Sequence, residues 1–476
     1  MGGVVSDRLN TAIETGLEAL AKGFRDGTLR PEELAAHCAA RHRSFGAALG
    51  AYKAWDEEAL GAGAALAGQA FDRGVDLGAL QGIPFSAKDL YGLPGLPVYA
   101  GSPKPLPARW ERPGPVVISL LWQLAVPTGK THTVEFAFGG IGTNPHWGTP
   151  RNPWDAKSHR VPGGSSAGAG VILIEGSSLL ALGTDTAGSV RIPASMTGTV
   201  GLKPTYGRWP LDGIVPLSTS VDTPGLLARS VEDVAWAFTA IEGGLKAMAP
   251  LIPLTDSASL RMGVPDDFFW EDCSPGVEQC VREALRELEA AGAGLQRAEL
   301  PDTAETYDIF KQGALAPPEL LALLSRDLPE WLDSLDSNVR QRLEAGRELP
   351  AWAYIQRRDR LREIGRRAAA VFDRLDAIAV PPVPVTPPAL EMLDEEGAYR
   401  QLNMLALRNT CIANLNGLRA ISMPVGLDAA GMPVGLMLMS APGGEERLLS
   451  TALAAEAILG RATHRLGDPP LACPGR

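Results

Sequence analysis

Two glycine-rich segments hold the residues best suited to chemistry. The first is Pro162-Gly163-Gly164-Ser165-Ser166-Ala167-Gly168-Ala169-Gly170, and the second is Gly183-Thr184-Asp185-Thr186-Ala187-Gly188-Ser189-Val190-Arg191-Ile192-Pro193. A serine hydroxyl is a poor nucleophile until a neighbouring base takes its proton, so each serine raises the question of its base. Three readings compete for the first segment. A Gly/Ser linker would be flexible and exposed, yet this run leads straight into the apolar Val171-Ile172-Leu173-Ile174, which argues for burial. A phosphate cradle would end in Lys-Ser/Thr; Gly129-Lys130-Thr131 has that ending but carries Leu124 where the first loop glycine belongs. Gly164 to Gly168 also fits G-x-S-x-G, a nucleophile elbow presenting Ser166. That chemistry needs a later histidine, and only His464 follows, with Asp373 or Asp376 as third member.

Taken together and in order, the two segments form a more specific pattern. Ser165 of Gly-Gly-Ser-Ser is followed 24 residues later by Ser189, which closes Gly-Thr-Asp-x-x-Gly-Ser, and then by Arg191-x-Pro193. Upstream stand Gly82-Ile83-Pro84-Phe85-x-x-Lys88-Asp89, Gly129-Lys130-Thr131, Glu135-Phe136-Ala137 and Arg151-Asn152-Pro153-Trp154. Downstream stand Gly201-Leu202-Lys203-Pro204-Thr205-x-Gly207-Arg208 and Asp222-Thr223-Pro224-Gly225. The ordered set resembles the amidase signature family of serine hydrolases, strongly over residues 80–240 and weakly in the C-terminal strands. The resemblance implies one large α/β domain whose twisted central sheet is mixed, mostly parallel, and covered by helices on both faces. It also implies hydrolysis of an amide C–N bond to a carboxylate and ammonia or an amine, with no cofactor and no metal.

Residue by residue, the resemblance makes Ser189 the nucleophile that carries the acyl group and Lys88 the general base and acid. Ser165 relays the proton between them, after a cis peptide bond at Gly164–Ser165. A lysine serves as a base only when neutral, which requires desolvation to lower its pKa from about 10.4. Lys88 meets that demand at the end of an apolar strand. Backbone N–H groups of Thr186, Ala187, Gly188 and Ser189 would form the oxyanion hole, each donor worth about 3–4 kcal/mol. Ala137-Phe138-Gly139-Gly140 matches the family's segment lining the acyl pocket, although Phe138 could equally be core. Gly164, Ser166, Asp185 and Arg191 act in support. Asp89 and Asp185 hold the lysine and the nucleophile loop through nearby backbone, with direct participation as the alternative, and Arg191 anchors the loop, with substrate binding as its alternative.

Ala167 and Ala187 replace the family's commoner glycines, and Ala187 also occurs in the branch that hydrolyses ureido substrates. A ureide or carbamate hydrolase is therefore one alternative. The A subunit of a glutamine-dependent tRNA amidotransferase is another. Asp222-Thr223 and Ile192 depart from that subunit's pattern and favour a free-standing enzyme acting on a small-molecule amide.

The elements that must position these residues follow from composition and periodicity. The chain has 476 residues, 45% of them apolar and 21% charged, enough for a large core. Residues 139–225 hold 16 glycines, whereas residues 250–400 hold 8. The first stretch is backbone that turns tightly or approaches something closely. Apolar residues at helical spacing predict helices from Arg8 to Phe24, from Pro31 toward His42, and over Val116 to Leu124, Ser230 to Ile241 and Pro275 to Ala291. Further helices are expected over Pro317 to Leu343, Ala351 to Phe372 and Gly444 to Leu459. Strands are expected at Gly82–Asp89, Ala125–Pro127, Leu260–Val264 and Asp376–Val380. Arg419–Leu427 and Pro433–Met439 read as a hairpin. Val171–Ile174 and Leu179–Leu182, apolar without alternation, are expected to be buried on both faces. Alternating strands and helices give the α/β class. The domain is expected to comprise N-terminal helices (1–75), the signature core (80–240), a helix-rich cover over the substrate channel (250–400) and closing C-terminal elements (401–476).

The net charge of −11, without a basic block, argues against nucleic acid as partner. The five cysteines lack C-x-x-C and are odd in number, as fits a reducing compartment. His37 and His42 fall on different faces of their helix, so they are not expected to ligate metal. No apolar run of 18 residues occurs. The expectation is a cytoplasmic enzyme with no membrane partner, and a homodimer is left open.

Overall fold

The computed structural model describes residues 2–244, 252 and 254–473. Its strands are β1 (Tyr52–Trp55), β2 (Pro84–Lys88), β3 (Val126–Thr131), β4 (Leu180–Asp185), β5 (Val200–Lys203) and β6 (Thr223–Ala228). They continue as β7 (Arg261–Val264), β8 (Gly294–Arg297), β9 (Ala377–Val380), β10 (Arg419–Leu427) and β11 (Pro433–Ser440). All eleven join one sheet in the order β1-β3-β2-β4-β6-β5-β10-β11-β9-β7-β8. Every residue of β2, β4, β5, β6, β9 and β11 is buried, as helices covering both sheet faces require.

The sheet is mixed, but it is not mostly parallel. Among the described residues, six of its ten strand pairings are antiparallel. Two of these pairings follow from their connections, because a parallel neighbour needs a crossover of a dozen or more residues, usually carrying a helix. The turn between β10 and β11 covers only residues 428–432, and no helix lies between β5 and β6. The parallel pairs β2–β3 and β2–β4 lie where the candidate catalytic residues are.

Several helices differ from their expected extents for local reasons. The Arg8–Phe24 stretch is two helices, Gly2–Thr15 and Leu17–Arg25, broken where the Leu17 N–H donates to Asp233 Oδ1 (2.7 Å). The Pro317–Leu343 stretch is Ala316–Asp327 and Ser337–Arg347, the second capped by Asp336, which accepts from the Asn338 and Val339 N–H groups. Val171–Ile174 lies inside the buried helix Ala167–Glu175, whereas Leu180–Leu182 is strand. Ser230 is the N-cap of Val231–Gly243, its Oγ accepting from the Asp233 N–H (3.0 Å). The helix Ala398–Leu415 was not foreseen, and it packs directly on the candidate site.

Candidate active site

β2 and β4 are parallel neighbours, with Ala87 opposite Leu182, so Lys88 and Asp185 emerge together at their C-terminal ends. This is the edge of an α/β sheet where ligands are usually held. Lys88 is fully buried, and its Nζ donates to Ser165 Oγ (2.7 Å) and Thr184 Oγ1 (2.8 Å). Burial pushes the lysine down to about 7, although the carboxylates of Asp222 and Asp185 pull the other way. Ser165 lies just before the helix Ala167–Glu175, and the Gly164–Ser165 peptide bond is cis. The Ser166 N–H donates to the Ser189 carbonyl (3.2 Å), which ties the two glycine-rich segments together. The side chains of Ser165 and Ser189 share no hydrogen bond among the described residues.

The loop that carries Ser189 is held by one carboxylate. Asp185 accepts from the Gly188 N–H (2.8 Å), the Val190 N–H (3.1 Å), Arg191 Nη2 (3.0 Å) and Asn414 Nδ2 (2.9 Å). Burial alone would raise its pKa, but the charge and hydrogen bonds of Arg191, with Lys203 and Asn414, hold it at about 2. Gly188 has φ 131, and a Cβ there would lie 2.1 Å from Thr410 Oγ1, so no other residue fits this turn. Both members of the Asp185–Arg191 pair are inaccessible to solvent. Asp185→Ala would leave the Arg191 cation buried without its counter-charge, and is expected to destabilise the fold by about 3–5 kcal/mol. A urea melt against the parent checks this; an unchanged midpoint would show that the loop does not depend on the pair.

A cavity of about 310 Å³ opens onto the loop, with Ala137, Phe138, Gly139, Thr186, Ala187 and Ser189 in its wall. Two expected members are absent from that wall. Of the four N–H groups expected to form an oxyanion hole, that of Gly188 is engaged by Asp185. The Gly140 N–H is likewise engaged by Asn403 Oδ1 (2.7 Å), and its carbonyl by the Gly164 N–H (2.8 Å). Phe136 (φ 46) and Ala137 (φ 60) both adopt left-handed backbone beside the cavity, strain of the kind that clusters at functional sites. Asp89 makes no hydrogen bond to the Lys88 side chain among the described residues. It pairs with Lys130 (2.9 Å) and accepts from the Tyr99 and Gly101 N–H groups.

Several site residues had no assigned role in the sequence reading. Thr184 and Asp222 lie inside the quoted motifs: Thr184 contacts Lys88, and Asp222 accepts from Thr186 Oγ1 (2.6 Å). Asn403, Thr410 and Asn414 come from the unforeseen helix. Their spacing of seven and four places them on one helical face, a polar stripe that the sequence did display. His464 lies in the wall of a separate cavity with Glu18, Trp236 and Glu456, and Asp376 pairs with Arg261 and Arg447. His464→Ala is therefore expected to leave turnover within about twofold of the parent in an ammonia-release assay, the usual range for a change far from the chemistry. A dead variant would reinstate the histidine-dependent elbow.

The Amidase family model matches residues 33–449. The chain belongs to the amidase signature family. It is thus a hydrolase of amide-type C–N bonds. It is 50% identical over 437 residues to the 2-amino-5-chloromuconic acid deaminase of Comamonas testosteroni, covering 91% of this chain and 94% of that one. It is 33% identical to the A subunit of the glutamyl-tRNA(Gln) amidotransferase of Cupriavidus necator, covering 92% and 95%. An amidase crystal structure superposes with a TM-score of 0.83 at 30% identity, covering 94% of this chain and all of that one. No helix among the described residues is long and apolar enough to cross a membrane.

Proposed function

We propose that this enzyme cleaves a C–N bond through a covalent intermediate on Ser189, with Lys88 as base and acid and Ser165 as relay. Its substrate on this reading is a small carboxylic acid, with a 2-aminomuconic acid as the first candidate. The observation that carries the mechanism is the buried Lys88 Nζ 2.7 Å from Ser165 Oγ, its pKa lowered to about 7. The substrate comes from the extent of the likeness to the muconic acid deaminase.

With an amide, Ser189 Oγ bonds to the carbonyl carbon while its proton passes through Ser165 to Lys88. The carbonyl oxygen takes the negative charge within reach of the free N–H groups of Thr186, Ala187 and Ser189. Lys88 then returns the proton to nitrogen, the C–N bond breaks, and ammonia leaves an ester on Ser189. Water, deprotonated along the same route, adds to the ester and releases the carboxylate.

A 2-aminomuconic acid presents a vinylogous version of the same bond. Its nitrogen lone pair is conjugated through two C=C bonds into the far carboxyl group. Addition of Ser189 to the nitrogen-bearing carbon sends the electron pair along that chain to the carboxyl oxygens. Loss of ammonia restores the diene as an enol ether on Ser189, which water converts to the hydroxy acid and its oxo tautomer. The chemistry of an amidase and that of an aminomuconate deaminase thus share one addition–elimination sequence.

The test is ammonia release by purified protein from 2-amino-5-chloromuconic acid and from a panel of primary amides, anilides, ureides and carbamates. Turnover is expected without glutamine, tRNA or added metal. Release that requires glutamine and a second protein would favour the amidotransferase reading, and release confined to ureides would redirect the substrate class.

A further inference from the structure

The net charge of −11 makes the charge of the cavity wall unexpected. Among the described residues its lining includes Lys311, Arg342 and Arg400 and not one Asp or Glu. Lys311 has a counter-ion, Asp308, at 2.7 Å. Arg342 has no carboxylate within ion-pair distance among the described residues. It is half-buried, with its guanidinium above the rings of Phe138 (5.2 Å) and Tyr399 (5.4 Å). Nη1 donates to the Phe138 carbonyl (2.5 Å) and Nη2 to the Tyr399 hydroxyl (3.3 Å). A guanidinium has five N–H donors, so this anchoring leaves others to offer.

The anchoring also fixes where those donors lie. Nη1 is close enough to contact a Cβ placed on Gly139 (3.7 Å), which puts the cation against the backbone segment that lines the cavity beside Ser189. Its helix, Ser337–Arg347, is tied to the core at its N-terminus, where the Asp336 N–H donates to the buried Glu135 Oε2 (2.7 Å). Aromatic stacking and a fixed backbone contact remove much of the rotamer freedom that an arginine loses on binding. A half-buried cation without a counter-ion, in a concave wall without carboxylates among the described residues, is suited to hold an anion.

We infer that Arg342 binds a carboxylate of the substrate and selects acids over neutral amides. This rests on the cavity being the substrate site, and it adds which residue reads the acid. For a 2-aminomuconic acid, the group held is the carboxyl far from nitrogen, where charge accumulates as Ser189 adds. Arg342 then contributes more as the reaction advances than in the ground state, as catalysis requires.

The experiment separates this inference from the hydrolase reading, because muconic acid itself contains no C–N bond. Its binding is measured by titration calorimetry to the intact protein, the Arg342→Met variant and the Arg342→Lys variant, with thermal melts as the check on folding. Muconate is expected to bind the parent, to bind Arg342→Met at least about 30-fold more weakly, and to bind Arg342→Lys with intermediate affinity. Muconamide, the neutral diamide, is expected to bind the parent at least about 30-fold more weakly than muconate. Equal binding of muconate to parent and Arg342→Met, or no preference for acid over diamide, overturns the inference. Failure of every C–N substrate while muconate still binds through Arg342 would overturn the hydrolase reading alone.

Discussion

Ser189→Ala is expected to lower kcat by about 10⁴-fold or more while the protein stays folded. The expected loss is large because no other group can form the covalent bond from that position. Ser166 is adjacent in space, yet its Oγ points to the Thr184 carbonyl (3.5 Å), inside the fold, and it is absent from the cavity wall. The fold should tolerate the change, since no hydrogen bond among the described residues involves the Ser189 hydroxyl, whereas Asp185, Arg191 and Asn414 hold the loop. The backbone N–H of residue 189, a donor on the proposed mechanism, is kept, so the residual rate should exceed the uncatalysed one. Ammonia release, together with mass spectrometry of parent enzyme quenched during turnover, checks both parts. The parent should carry substrate mass on the peptide containing Ser189, and Ser189→Ala none. If Ser189→Ala retained a tenth of the activity while Ser166→Ala was dead, the nucleophile would be Ser166 of the elbow.

How much of this site the sequence disclosed depends on the kind of information each residue carries. Lys88, Ser165 and Ser189 stand within ordered motifs, and the structure brings Lys88 against Ser165 and places Ser189 at the cavity. The class of fold was legible from the alternation of strand and helix patterns along the chain. Strand direction was not. It depends on the lengths and contents of connections such as residues 204–222, which carry no hydropathy signal. The engagement of the Gly188 and Gly140 N–H groups was equally hidden, because backbone donors have no letter in a sequence. Asn403 could not be assigned as the partner of Gly140 across 263 positions without the fold. Arg342 shows the limit most clearly. Within the charged stretch Pro317–Leu343 it reads as one more solvated cation, and only packing on Phe138 and Tyr399 distinguishes it.

Lys88→Met carries the second large expected effect, a loss of about 10³-fold or more in kcat/KM, the scale set by removal of a general base. Methionine keeps the length and apolar stem of the side chain and removes only the ammonium, so packing in β2 is preserved. Lys88→Arg should fail as completely, because a guanidinium stays protonated to about pH 12 and beyond and can accept nothing. The parent's pH profile tests the same role without mutation. With the lysine at about 7 and the neutral form required, kcat/KM should fall about tenfold per unit below that value and level off above it. Stability supplies an independent reading. Between about 7 and the ordinary value of 10.5 the unfolded chain holds a proton on Lys88 that the folded chain has lost. The unfolded state therefore binds more protons there, and stability must rise with pH through that window relative to Lys88→Met. Below about 7 both states are protonated and the difference is constant. A flat rate profile combined with parallel stability curves would mean that Lys88 remains charged in the fold. Its bond to Ser165 would then orient that serine rather than receive its proton.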